Sequence, residues 1–300
     1  MLYISREYVQ DSLDKSVAPA AVCDSGETVV FQTRDCYDDS VTCGERPLGD
    51  RRDALGNPAT GPLYIHGARA DSLPYGSRTY NPDHGTAVQR QFLVKTDFII
   101  NDFKDHCLRI RKPACKSSIR KRGAHDSPAS KLYFKDFHLQ DIPRPGAMDI
   151  QRGGNMDCRK IGEGSVLYLP VAVPGALLSM GDLHALMGDG EVFICGLETA
   201  GEVTVRVSVL KDCRMPAPFL VTVDKVMTIQ SADTTDEAGK KAVLLMEEYI
   251  RETAGIDELK AGMLMSLAAD MCICQIVDPQ MTVRVEFPRQ ILEKYGWKPM

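Results

Sequence analysis

From Glu202 to Val209, valine stands at every second position (Val203, Val205, Val207 and Val209) with polar or charged residues in most of the gaps. Successive side chains of an extended strand point to opposite faces, so a period of two buries one face and wets the other. A helix would scatter the same valines around its circumference. Thr28 to Thr33 reads as a strand after a Ser25-Gly26 turn, and Ser165 to Val173 as another, ended by Pro174-Gly175. Phe219 to Ile229 and Met281 to Phe287 continue the pattern, the latter setting Val283, Val285 and Phe287 against Thr282, Arg284 and Glu286.

The period changes between Thr234 and Ala269. Thr234 to Glu237 forms a capping box before Ala242, Leu245, Met246, Tyr249 and Ile250 at helical spacing. Asp257 caps a second predicted helix through Leu259, Met263, Leu264 and Leu267. Met271 to Val277 then reads as a buried strand closed by Asp278-Pro279. The predicted fold is mainly β, a β-sandwich body over residues 1–230 with a small C-terminal α/β subdomain over 231–300.

Composition excludes several classes. No run approaches the ~18 apolar residues of a membrane helix, and Met1 to Glu7 lacks the basic and apolar regions of a signal peptide. Ten cysteines without any C-x-x-C spacing fit reduced thiols in the cytoplasm, with packing the expected role of Cys272 and Cys274. The formal net charge of -5 is unevenly spread. Residues 69–152 carry 16 Lys and Arg against 9 Asp, contain no glutamate, and hold four of the six histidines. Their cluster Arg109, Arg111, Lys112, Lys116, Arg120, Lys121 and Arg122 can be read as a phosphate-binding patch, but no aromatic platform interleaves with it. A solvated face is the simpler reading, and His84, His106, His125 and His138 show no ligand spacing. Neither a nucleic-acid partner nor a membrane is expected.

The densest polar constellation is Gly181-Asp182-Leu183-His184-Ala185-Leu186-Met187-Gly188-Asp189-Gly190-Glu191-Val192. Asp182 and His184 are two apart, as are Asp189 and Glu191, so an extended chain projects each pair to one side. One imidazole with several carboxylates matches the ligand preferences of Zn²⁺, or of a harder cation such as Ca²⁺ where oxygens dominate. A hairpin turning at Asp189-Gly190, with His184 hydrogen-bonded in the core, satisfies the same spacing.

This string, together with Gly153-Gly154-Asn155-Met156-Asp157 and Asn57-Pro58-Ala59-Thr60-Gly61-Pro62, resembles the acetamidase/formamidase family. Similarity extends through Ser25-Gly26-Glu27-Thr28-Val29 leading to Thr33-Arg34-Asp35, Gly162 to Pro170, Ser266 to Asp270, and Gln275 to Pro279. The resemblance implies a β-sandwich with a small α/β part, a metal-dependent amidase acting on small amides such as formamide or acetamide, and a homo-oligomer. It points to His184, Asp182, Asp157 and Asp35 as metal ligands, Zn²⁺ or Ca²⁺ being the cofactor. Glu191 is the expected general base and then acid, with Asp189 beside it in the catalytic pair. Asn155 is a candidate substrate-binding donor, although an Asn after Gly-Gly also suits a left-handed turn.

A serine or cysteine nucleophile is the competing chemistry, but no nucleophile elbow is present, and Cys195, four residues after Glu191, follows Val192-Phe193-Ile194, expected as a buried strand. The likeness covers residues 1–68 and 153–300 and is absent between, where the length is preserved. Two compensating frameshifts are the hypothesis that accounts for this, with residues 69–152 then the least ordered and the chain an impaired member that only oligomerises or binds a ligand.

Overall fold

A computed structural model describes residues 1–11, 13–40, 56–70, 79–81, 85–87, 91–102, 133–138, 153–193 and 195–300. The N-terminal strands are β1 (Leu2–Ile4), β2 (Val9–Gln10), β3 (Ala21–Cys23), β4 (Thr28–Thr33) and β5 (Ala59–Ile65). The next region contributes β6 (Thr79–Asn81), β7 (Gly85–Ala87), β8 (Gln91–Asp102), β9 (Tyr133–His138) and β10 (Gly153–Asn155). Then come β11 (Val166–Pro170), β12 (Leu178–Leu186), β13 (Leu197–Thr199), β14 (Gly201–Cys213), β15 (Phe219–Val221) and β16 (Lys225–Ala232). Helices α1 (Thr235–Ala254) and α2 (Glu258–Ala268), strands β17 (Asp270–Gln275) and β18 (Met281–Pro288), and helix α3 (Arg289–Lys294) complete the chain.

Among the described residues, one sheet runs β1-β4-β14-β8-β11-β15-β16-β18-β17 and a second runs β10-β9-β12-β5-β2, with β13 added to β12 and β3 to β5. The two sheets close on one core. Val203, Val205 and Val207 of β14 meet Leu63 and Ile65 of β5 and Leu178, Met180 and Leu183 of β12 in it, all fully buried. Burial at ~25 cal/mol per Å² of apolar surface makes such a core the main source of stability. The mainly β sandwich with a C-terminal helix and strand region is thus the observed architecture.

The Thr234 half of the expected capping box forms. Thr234 accepts a 3.2 Å hydrogen bond from the Glu237 N–H, and Gly255, at φ 64°, closes α1 with its N–H on Arg251 O. Ala242, Met246, Tyr249 and Ile250 then pack with Phe219, Val285 and Phe287 on the face of the large sheet opposite the sandwich core. Strands β16, β18 and β17 extend that same sheet, and residue 230 lies inside β16.

Several expectations need correction. Phe219 to Ile229 is two strands, because Thr222 Oγ1 takes the Lys225 N–H and turns the chain. Strand β17 is a sheet edge with Met271 and Ile273 exposed, and only Cys274 and Gln275 are buried. In α2 the inward residues are Ala261 and Met265, whereas Leu259, Met263 and Leu267 face out. Val192 and Phe193 are exposed in a turn, and Cys195 is exposed rather than buried.

Within 69–152, β8 pairs with both β14 and β11, and its Leu93, Val94 and Phe98 are buried. The basic cluster Arg109 to Arg122 lies outside the described residues, as do His84, His106 and His125.

Candidate metal centre

The site is built on β12, the central strand of the smaller sheet, where Leu178 to His184 are buried on both faces. Such burial requires close neighbours. A Cβ on Gly181 would stand 2.6 Å from Pro58 O, and one on Gly61 2.6 Å from Ser179 Oγ, so glycine at both places lets β5 and β12 approach. Asp182 adopts φ 56°, which breaks the simple alternation read from sequence. Its Oδ2 accepts a 2.6 Å hydrogen bond from Asn57 Nδ2, and its Oδ1 lies 3.5 Å from His184 Nε2.

His184 is fixed from its other side. A Cβ on Gly196 would fall 2.6 Å from His184 Nδ1, so that ring nitrogen packs against the chain and Nε2 faces the carboxylates. Glu198, the register partner of His184 on β13, places Oε1 2.9 Å from Nε2. Glu191 Oε1 stands 3.9 Å away, and donor atoms of Asp157, His184 and Glu191 all lie within 4.8 Å of one another.

Asp157 and Glu191 reach the centre from tight bends. Asp157 has φ 44° just beyond β10, and Glu191 has φ 38° directly after Gly190 at φ 90°. The latter segment is not the strand expected from the Asp189/Glu191 spacing. Instead Gly190 N donates to Cys274 O and Ile276 N to Gly190 O, stitching the loop to β17.

Of the expected ligands, Asp157, Asp182 and His184 are therefore brought together with Glu191. Asp35 is not among the donors that converge there among the described residues; its Oδ1 caps a turn by accepting from Tyr37 N and Asp39 N. Asp189 turns outward to Arg284, with two hydrogen bonds of 2.8 Å. Asn155 donates 2.5 Å to Asp278 Oδ2, while its own Oδ1 is buried without a hydrogen-bond donor in reach among the described residues. Asp270 is at the surface, 3.1 Å from Lys225 Nζ. Glu198, Asn57 and Cys36 were not assigned from sequence. Cys36 forms a second close group with Asp182 and Glu198.

Electrostatically the cluster is strongly anionic. Asp157, Asp182, Glu191 and Glu198 surround one imidazole, and all five side chains are at least nine-tenths buried. Burial alone would disfavour the imidazolium, but hydrogen bonds and attraction from Asp182 and Glu198 overcome it and raise His184 to about 10. Burial, joined by Asp182, holds Glu198 above its ordinary range against the opposing pull of His184. Four buried carboxylates with one compensating ring are an unfavourable arrangement unless a cation joins them. The nitrogen and oxygen donors fit a divalent metal.

The acetamidase/formamidase family model matches residues 136–294, just over half of the chain. The chain belongs to this family. The formamidase of Methylophilus methylotrophus is 32% identical over 164 residues, 47% of this chain and 40% of that protein. The chain thus matches less than half the length of that curated relative. Among solved structures, an acetamidase from Bacillus halodurans superposes with a TM-score of 0.82 at 31% identity, over 99% of this chain and all of that one. A recombinant predicted acetamidase/formamidase from Thermoanaerobacter tengcongensis gives 0.80 at 27%, over 99% of both.

Proposed function

We propose that this family member is a metal-dependent amidohydrolase that cleaves short amides, of the formamide or acetamide class, to the carboxylate and ammonia. The observation that carries the reading is the buried convergence of Asp157, Asp182, His184 and Glu191. Asp157 and His184, with Asp182 alongside, would hold a divalent cation, and the imidazole favours Zn²⁺ over Ca²⁺. When bound, the cation supplies Lewis acidity, polarising a carbonyl and lowering the pKa of water toward ~7. Glu191 takes the water's proton and returns it to the departing amine nitrogen. Asn155 Oδ1 accepts from the substrate NH₂ group. Bends at Gly190 and Glu191, bridged to β17, keep the Glu191 carboxylate beside His184.

We also propose a homo-oligomer, supported by the outward Leu259, Met263 and Leu267 of α2 and, separately, by the unpaired edge of β17. Seven described cysteines are free thiols, which supports a reducing, cytoplasmic setting. No helix among the described residues is long and apolar enough to cross a membrane. Ammonia release from formamide and acetamide, measured with and without a chelator alongside metal content, tests the enzymatic reading. Folded, metal-free and inert protein would overturn it and leave an oligomeric or ligand-binding β-sandwich protein.

A further inference from the structure

The donors Cys36, Asp182 and Glu198 form a second group beside Asp157, His184 and Glu191, their ligand atoms again within 4.8 Å of one another. We propose that the centre is binuclear, with a second divalent cation of the zinc type held by the Cys36 thiolate and the Asp182 and Glu198 carboxylates. The inference rests on the metal-dependent reading and extends it.

The two groups adjoin each other. Asp182 and Glu198 of the second lie 3.5 and 2.9 Å from His184 Nε2 of the first. One residue builds the second group: Asn57 donates its backbone N–H to Cys36 O at 3.0 Å and its Nδ2 to Asp182 Oδ2 at 2.6 Å. The bend after β4 and the middle of β12 are thereby locked together. Glu198 supplies the observation that points to a ligand. Its side chain is 5% exposed, and Oε2 is buried with no hydrogen-bond donor in reach among the described residues.

Charge argues in the same direction. A single dication leaves four buried carboxylates and a thiolate still in excess, whereas a second brings the cluster close to neutrality. A soft sulfur joined to carboxylate oxygens suits Zn²⁺ or Co²⁺ and disfavours Ca²⁺ or Mg²⁺. Paired cations in hydrolases clamp both the attacking and the departing atoms.

The test is to strip the full-length protein with a chelator, reload it with Co²⁺ or Zn²⁺, and measure bound metal per chain with the absorption spectrum of the cobalt form. Two equivalents are expected, with a near-ultraviolet sulfur-to-cobalt charge-transfer band. Cys36→Ser should abolish the band and lower the content to one equivalent, and Glu198→Gln should also lose one. One equivalent and no band in the unsubstituted protein overturns the binuclear centre but leaves the metal-dependent reading standing. Two equivalents retained in both variants, with the band intact in Cys36→Ser, overturns it as well. No bound metal overturns both. The cobalt spectrum of the unsubstituted chain decides the matter if the variants do not fold.

Discussion

Arg284 grips Asp189 through two parallel hydrogen bonds of 2.8 Å, two residues before Glu191. The guanidinium is 1% exposed and also donates 2.7 Å to Glu286 Oε1, so strand β18 reaches under the loop that carries the expected proton shuttle. Bidentate geometry fixes direction as well as distance. Asp189 is accordingly a support of the loop in this arrangement.

Asp189→Ala should cost about 3 kcal/mol of stability, because it leaves a buried guanidinium with fewer partners. Chemical denaturation checks this, and bound metal in the folded fraction should be little changed. A loss below about 1 kcal/mol would contradict the account.

Gly196→Ala should impair the centre without touching a donor atom. The new Cβ would meet His184 Nδ1 at 2.6 Å, so the ring must shift or the strand pair must spread. Expected are a destabilisation of about 1–3 kcal/mol and weaker metal retention against a chelator. Unchanged retention would show that His184 is not held in the way described.

The metal-free protein should show a defined pH dependence. Folded His184 titrates near 10 against 6.5 in an unperturbed ring. Its pairing with Asp182 and Glu198 therefore stabilises the fold fully below 6.5 and is lost as pH rises through 10. A metal must displace the same proton, so affinity should climb about tenfold per pH unit between those limits. Calorimetric zinc titrations in buffers of different ionisation enthalpy would count the released proton. Zinc affinity flat between pH 6.5 and 8.5 would refute this.

Local signals were legible in the sequence and long-range ones were not. Period-two valines mark β14 and the Thr234 cap marks α1, because both depend only on neighbours along the chain. His184, Asp182, Asp157 and Glu191 were found as residue types within motifs. Glu198 was not, since it enters by cross-strand pairing of β13 with β12. Cys36 depends on a bend joined to Asn57, a contact that spacing does not encode. Arg284 reads as the wet face of an alternating strand, yet it is buried and gripped by Asp189 from a loop distant in sequence.

The most direct test of the central claim compares His184→Ala and Glu191→Gln with the unsubstituted protein in one experiment, reading metal per chain and ammonia released from formamide. His184→Ala should lose both metal and activity. Glu191→Gln should keep metal at the His184 position and lose turnover by roughly 10²–10⁴-fold, the usual worth of a positioned acid and base. Undiminished ammonia release from either variant would contradict a metal-centred hydrolysis at His184.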